Sequence, residues 1–104
     1  MTVSSTTVLK RHFKAYTEFY TGNGFADIFV KNNYPNGHDF LLELKYLPKK
    51  NDRQSQIEAK LLEARLEIEK YRKGAVLEEA VGSHHLDSYA IIFVGAECRL
   101  YQKI

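Results

Sequence analysis

The sequence Phe40-Leu41-Leu42-Glu43-Leu44-Lys45-Tyr46 decides the fold, because it is an almost continuous apolar run interrupted by two charged residues. Such a run is typical of a strand buried in a sheet. Side chains alternate between the two faces of a strand, so Glu43 and Lys45 share one face. A charged side chain at a buried strand position costs several kcal/mol unless it is paired or bound to a metal. The stretch therefore predicts a buried strand that carries a compensated polar site.

A further charge interrupts the strand predicted just before it, Phe25-Ala26-Asp27-Ile28-Phe29-Val30. Residues 32–38, which contain Tyr-Pro-Asn-Gly, form the connecting loop, because Pro lacks a donor for the ladder and Gly accepts a positive φ. If the loop is centred near Pro35, Asp27 lies opposite Glu43. A two-residue turn at Asn36-Gly37 would place these two side chains on opposite faces. The sequence leaves both registers open.

An earlier strand is predicted at residues 15–20, Ala-Tyr-Thr-Glu-Phe-Tyr, which end at Thr21-Gly22-Asn23-Gly24. Asn-Gly is a strong signal for a hairpin. The hairpin pairs Glu18 with either Asp27 or Phe29. Both registers place Glu18 and Asp27 on one face of the sheet.

Apolar residues at helical spacing predict two helices. The stripe of a short N-terminal helix consists of Val8, Leu9, His12, Phe13 and Tyr16. A second helix of about four or five turns begins near Gln56. Its apolar stripe consists of Ile57, Leu61, Ala64, Ile68 and Tyr71. Residues 75–80 continue or restart this helix, a buried strand follows at residues 88–95, and residues 99–104 are a candidate edge strand.

The element order is therefore α-β-β-β-α-β. A long helix between the third and fourth strands makes that pair parallel, whereas the hairpins are antiparallel. We expect an α/β fold with a mixed sheet of four to five strands flanked by helices.

Length and composition exclude several classes of protein. The chain has 104 residues, a net charge of +2 and one cysteine, Cys98. One domain spanning residues 1–104 is expected. A lone cysteine forms no internal disulfide, which favours a cytoplasmic setting. No apolar run approaches the roughly 20 residues of a membrane span, so no membrane partner is expected. Neither a GxxxxGK[ST] loop nor a GxGxxG turn is present, which argues against an ATPase or a dinucleotide enzyme.

If Asp27 lies opposite Glu43, then Glu18, Asp27 and Glu43 converge beside Lys45. Carboxylates a few ångströms apart repel unless a hard cation such as Mg²⁺ neutralises them. Lys45 could then position the attacking water and stabilise charge that develops on phosphorus. The alternative is a structural Lys-Glu pair with Asp27 at its edge.

Two further groups have surface interpretations as well as functional ones. Lys49, Lys50 and Arg53 follow the charged strand and could contact phosphates, or could form a solvated loop. His84-His85 could bind a metal, but adjacent side chains point apart, so a polar surface loop is favoured.

At these residues the sequence resembles a known family. Gly24-Phe25-Ala26-Asp27 followed by Glu43-Leu44-Lys45 is similar to the bipartite PD-(D/E)xK signature. The chain resembles in particular the nuclease-superfamily domain found at the C-terminus of bacterial AAA-ATPase-like proteins. The resemblance extends to Glu18, nine residues before Asp27, and to the Lys-rich loop, the helix ending near Tyr71 and the final Ile-Ile-Phe-Val-Gly strand.

The resemblance implies a restriction-endonuclease-like fold and hydrolysis of phosphodiester bonds in DNA, or as a second choice RNA. It implies that Asp27 and Glu43 bind Mg²⁺ or Mn²⁺, that Lys45 is catalytic, and that Glu18 serves as a further ligand or general base. Some members have lost cleavage, so the alternative is an inactive nuclease-fold module that acts in protein or nucleic-acid interaction next to an ATPase. Because many such nucleases pair to cut both strands, a homodimer is a further expectation.

One residue departs from the family pattern. Members often carry Gln four residues before the Tyr that ends the helix, whereas this chain has Glu67. An added carboxylate could bind a second metal, neutralise Lys45 or face solvent. A solvated side chain, or one paired with Lys60 or Lys70, is favoured over a metal ligand.

Overall fold

The computed structural model describes residues 12–35 and 37–104, which form a single five-stranded sheet and two α-helices. In chain order these elements are β1 (Phe13–Tyr20), β2 (Phe25–Asn32), β3 (His38–Leu47), a 3₁₀ turn (Lys49–Asn51), α1 (Gln54–Arg72), α2 (Ala75–Val81), β4 (His85–Val94) and β5 (Glu97–Lys103). The strands lie in the order β1-β2-β3-β4-β5. Within the described residues, no helix has both the length and the apolar character needed to cross a membrane.

The mixed α/β sheet predicted from the sequence is confirmed. Strands β3 and β4 are parallel, and the other neighbouring pairs are antiparallel. The parallel pair follows from the connection through α1, because the helix returns the chain to the end of the sheet at which β3 began, before β4 starts.

The predicted N-terminal helix is wrong over its last residues. Val8 and Leu9 lie outside the described residues, but β1 starts at Phe13 and pairs with β2 from Phe13 to Tyr20. Partial burial recurs at every third residue of β1, at Phe13, Tyr16 and Phe19. Glu18 has a positive φ of 49°, which interrupts the alternation between Tyr16 and Phe19. An irregular strand therefore produced the spacing that the sequence analysis assigned to a helix.

The loop predicted at residues 82–85 ends one residue early, because His85 is the first residue of β4. The parallel ladder begins there, with His38 aligned to His85, and the His85 amide donates a hydrogen bond of 3.2 Å to the Gly37 carbonyl. The predicted edge strand is confirmed as β5.

The hydrophobic core lies between α1 and one face of the sheet. The predicted stripe is confirmed, because Ile57, Ala64, Ile68 and Tyr71 are buried along α1 and Leu61 packs against them. On the sheet side they meet the buried residues Phe29, Leu41, Ala90 and Ile92. Glu43 and Lys45 follow the buried Leu41 at intervals of two residues on β3, so they share its face and point toward α1.

The turn between β1 and β2 packs against the helices. The Leu77 amide of α2 donates a hydrogen bond of 2.9 Å to the Thr21 carbonyl. Gly24 has a φ of +101°, and a Cβ atom there would lie 2.9 Å from Cε1 of Tyr71. Both observations favour glycine, which tolerates positive φ and allows close approach. The turn thereby fixes the start of β2, which carries Asp27, against the end of α1.

Candidate functional site

The register of β2 and β3 brings Asp27 to the level of Glu43. Ile28 pairs with Leu42, and Val30 pairs with Phe40. Extending this antiparallel register by one residue aligns Asp27 with Glu43. Of the two registers that the sequence left open, the structure has the one centred near Pro35.

At the level of Asp27 and Glu43, hydrogen bonds from backbone amides to their carboxylates take the place of the backbone hydrogen bonds between β2 and β3. Oδ2 of Asp27 accepts a hydrogen bond of 2.8 Å from the Leu44 amide, and the Asp27 amide donates one of 3.3 Å to Oε1 of Glu43. These bonds give partners to the backbone amides of Asp27 and Leu44, just beyond the last ladder pair of Ile28 with Leu42. They also fix one oxygen of each carboxylate, so that the two carboxylates are held side by side.

Three glutamates surround Lys45. Its Nζ lies 2.6 Å from Oε1 of Glu67, 3.4 Å from Oε1 of Glu63 and 3.8 Å from Oε2 of Glu43. Burial lowers the pKa of Lys45, but the hydrogen bond and charge of Glu67, with smaller effects from Glu43 and Glu63, raise it above its ordinary value overall. Lys45 is therefore a firmly charged ammonium, and Glu67 is its shortest contact.

Glu43 is the most perturbed acid of the site. Glu43 is 3% exposed, and the pKa of its carboxyl is raised from 4.5 to about 9. Burial is the largest cause, and the hydrogen bond shared with Glu67 and the charge of Asp27 contribute to the same rise. The same hydrogen bond is the largest cause that lowers the pKa of Glu67. Without a cation, Glu43 therefore keeps a proton at neutral pH and shares it with an ionised Glu67.

Glu67 lies one helical turn before Tyr71, whose hydroxyl donates a hydrogen bond of 3.2 Å to Oε2. Its lysine partner is Lys45, rather than Lys60 or Lys70. Nζ of Lys60 contacts Glu63 at 3.3 Å, and Nζ of Lys70 lies over the ring of Tyr71. The sequence allowed three roles for Glu67: a second metal ligand, a partner that neutralises Lys45, or a solvated side chain. The structure shows the contact with Lys45.

The sequence analysis missed Glu63 as a neighbour of Lys45. Glu63 and Glu67 are spaced by four residues, which places them on one face of α1 beside the apolar stripe. That spacing was visible in the sequence. It did not identify Lys45 as the partner, because the contact joins α1 to β3.

Glu18 stands apart from the other predicted site residues. Its register neighbours, Thr17 with Ile28 and Phe19 with Ala26, place it at the level of Asp27. The side chain is exposed, and it lines an open cleft of about 320 Å³ with Phe25, Ala26 and Asp27. Within residues 12–35 and 37–104, no hydrogen bond or ion pair joins Glu18 to Asp27 or Glu43.

The basic group is exposed just beyond the end of β3. Lys49 and Lys50 lie in the 3₁₀ turn, and Arg53 is the residue that precedes α1. Lys45 is the third residue from the end of the same strand. The group thus lies at the end of β3 that carries Lys45.

The donor set at Asp27 and Glu43 fits a hard divalent cation. Both side chains offer carboxylate oxygens, which Mg²⁺ and Mn²⁺ prefer. Each carboxylate has one oxygen fixed by a backbone amide, and the second oxygen is the candidate ligand atom. A cation would also relieve the repulsion between Asp27 and Glu43, which contributes to the raised pKa of Glu43.

Comparisons with known proteins identify the family. No curated protein and no solved structure matches the chain significantly. A family model described as the PD-(D/E)XK nuclease superfamily matches residues 1–103. The mixed sheet agrees with the restriction-endonuclease-like fold of that superfamily, and the motif residues lie on its adjacent strands β2 and β3. The match covers nearly the whole chain, and the chain therefore belongs to the PD-(D/E)XK nuclease superfamily.

Proposed function

We propose that this chain is a metal-dependent nuclease domain that hydrolyses phosphodiester bonds in DNA, with RNA as a second substrate class. The observation that carries the proposal is the pair of carboxylates, Asp27 and Glu43, held side by side by backbone amides with Lys45 next to them. Carboxylates can hold the divalent cation that assists phosphodiester hydrolysis, and an ammonium can stabilise the charge that develops on phosphorus.

In this proposal Asp27 and Glu43 hold Mg²⁺ or Mn²⁺, and the exposed Glu18 at the rim of the adjoining cleft serves as a further ligand or as general base. A bound divalent cation would polarise the phosphodiester and lower the pKa of a bound water. Glu43 must lose the proton that its burial retains, and that proton would pass to solvent when a cation binds. The charge of Glu67 opposes this ionisation, so the positive charge of the cation is what would stabilise the Glu43 carboxylate.

Lys45 positions the attacking water and stabilises the charge that develops on phosphorus. Its ammonium now donates to Glu67, and Glu43 lies 3.8 Å away on the strand side. A rotation of the side chain toward Glu43 would release Glu67 without moving β3. Lys49, Lys50 and Arg53 contact phosphates of the bound strand and supply affinity without sequence preference.

Metal binding is tested first, by thermal unfolding with and without Mn²⁺. Because a ligand that binds only the folded state stabilises it, Mn²⁺ at 100 times its Kd should stabilise the protein by about 2.7 kcal/mol. Asp27→Asn should abolish the shift in Tm. Glu69→Gln removes an exposed carboxylate from the same helix as Glu67 and should leave the shift intact. An equal shift in Asp27→Asn and wild type would place the metal elsewhere.

Catalysis is tested by nicking of supercoiled plasmid and of single-stranded DNA and RNA in Mn²⁺. Lys45→Ala should lower the rate by on the order of a hundredfold, the usual effect of removing one group that stabilises transition-state charge. Lys60→Ala, which removes a lysine from α1, is the matched control and should retain activity. Equal rates for wild type and Lys45→Ala would trace the nicking to a contaminant.

One observation favours a second candidate function. The contact of 2.6 Å between Lys45 and Glu67 keeps the lysine paired with a carboxylate. A domain with its lysine neutralised in this way would be an inactive nuclease-fold module that docks to nucleic acid or to an ATPase-like protein, the AAA-ATPase context of bacterial relatives that the sequence resembles. Metal binding without nicking would support this candidate over the first.

A further inference from the structure

A second cluster of potential metal ligands lies on the other face of the sheet. His38 and His85 are register partners at the start of the parallel strands β3 and β4, and Asp87 lies two residues along β4 on the same face. The ligand atoms of His38, His85 and Asp87 all lie within 4.8 Å of one another. From the geometry we propose that these three side chains form a Zn²⁺ site that is separate from the carboxylate site described above.

The distances support a shared ion. Nδ1 of His38 lies 3.2 Å from Oδ2 of Asp87, and Nε2 of His85 lies 3.0 Å from Oδ1. Ligand atoms about 2.0–2.1 Å from a tetrahedral zinc ion are about 3.4 Å from one another. Small side-chain rotations would therefore convert the present contacts into a coordination shell.

The three side chains differ in burial in the way expected of a zinc site that solvent can reach. The Asp87 side chain is 10% exposed, whereas the His38 and His85 side chains are 60% and 64% exposed. Two imidazoles thus flank a nearly buried carboxylate, and the solvent side stays open for a water. Three protein ligands with one open position are typical of zinc sites that exchange a ligand.

The donor set selects a different metal from that of the other site. Imidazole nitrogen suits Zn²⁺, whereas Mg²⁺ prefers an all-oxygen shell. His38 precedes Glu43 by five positions on β3, about 16 Å at the usual rise of a strand. The two residues also alternate to opposite faces of the sheet. The zinc site therefore does not rest on the proposed nuclease function.

Lys103 competes for the same carboxylate. Its Nζ lies 3.2 Å from Oδ1 of Asp87, the oxygen that His85 also contacts. The side chain is 60% exposed and belongs to the last residue of β5, so it can swing into solvent at low cost. Lys103 thus neutralises Asp87 when the site holds no ion, and binding of Zn²⁺ would displace it.

The test is a calorimetric titration of the untagged 104-residue chain with Zn²⁺ in the presence of millimolar Mg²⁺, which competes with Zn²⁺ for the oxygen ligands Asp27 and Glu43. One Zn²⁺ per chain should bind, and His38→Gln and His85→Gln should each weaken it by more than about tenfold. Lys103→Gln should tighten binding, because it removes the competing ammonium. His12→Gln, which removes a histidine outside the cluster, should bind as wild type does.

Three results would overturn the proposal. The first is unchanged Zn²⁺ affinity in His38→Gln and His85→Gln. The second is weaker binding in Lys103→Gln, which would show that the ammonium supports the cluster rather than competes. The third is loss of zinc binding in Asp27→Asn, which would assign the ion to the carboxylate site. Circular dichroism of the histidine variants tests whether they remain folded, as we expect because the altered side chains are exposed.

Discussion

At the scale of single residues, Glu67 determines how Lys45 is used. The contact between Nζ of Lys45 and Oε1 of Glu67 is 2.6 Å, the shortest that Lys45 makes among the described residues. A carboxylate at this position neutralises the ammonium, whereas an amide would accept a hydrogen bond without a compensating charge. The side chain at residue 67 therefore determines how far the charge of Lys45 is compensated.

Glu67→Gln should raise the nicking rate of plasmid DNA in Mn²⁺, because the charge of Lys45 is then no longer compensated by Glu67 and its side chain is held less tightly. We expect an increase of about tenfold, the effect of roughly 1.4 kcal/mol on a barrier. Glu63→Gln is the matched control one turn earlier on α1, and its smaller effect should follow its longer distance of 3.4 Å from Lys45. A loss of activity in Glu67→Gln alone would indicate that the carboxylate takes part directly, as a metal ligand.

At the scale of elements, most strands and the long helix could be predicted from apolar periodicity. The apolar run of β3 and the apolar stripe of α1 both reflect burial, which the sequence records directly. The start of β1 could not be predicted, because the irregular residue Glu18 gives the strand a three-residue spacing. Such a spacing is shared by helices and interrupted strands, and only pairing with β2 distinguishes them.

The predicted site depended on register in the same way. Asp27, Glu43 and Lys45 could be singled out, because charges inside apolar strands are unusual. Their convergence required the loop centre near Pro35, which local sequence does not determine. His38 and His85 could not be associated, since the sequence predicts the parallel pair but not its register across a helix of 19 residues.

The contact of Gly24 with Tyr71 connects the β1–β2 turn to α1 and predicts a specific cost. Gly24→Ala should destabilise the protein by about 1–3 kcal/mol, because alanine is strained at a φ of +101° and its Cβ would lie 2.9 Å from the Tyr71 ring. Gly82→Ala, with a φ of +58° and a nearest atom at 3.9 Å, shares only the backbone strain and should cost less. Urea unfolding measures both, and equal losses would show that the contact with Tyr71 contributes nothing.

At the scale of the whole molecule, the candidate site joins three elements. Asp27 belongs to β2, Glu43 and Lys45 to β3, and Glu67 to α1. The ionisation of these groups is therefore coupled to folding, since the pairing of Lys45 with Glu67 requires that α1 is packed on the sheet. The pH dependence of the free energy of unfolding reports on that coupling.

In the metal-free protein the free energy of unfolding should fall as pH rises from about 5 to about 9. The carboxyl of Glu43 ionises near 4.5 in the unfolded chain, but burial raises its pKa to about 9 in the folded protein. Between these values the folded state binds the extra proton, so stability decreases by up to about 1.4 kcal/mol per pH unit. The lowered pKa of Glu67 affects the pH dependence of stability below this pH range, and the raised pKa of Lys45 affects it above this range.

Urea titrations in EDTA at pH 5, 7 and 9 measure this slope. Glu43→Gln keeps a hydrogen-bond donor toward Glu67 but has no proton to lose, so its stability should be nearly independent of pH and should exceed that of wild type at pH 9. Glu69→Gln, exposed on α1, should keep the wild-type slope. If Glu43→Gln also kept that slope, the proton would belong to another group, and the buried carboxyl would already be ionised before any cation binds.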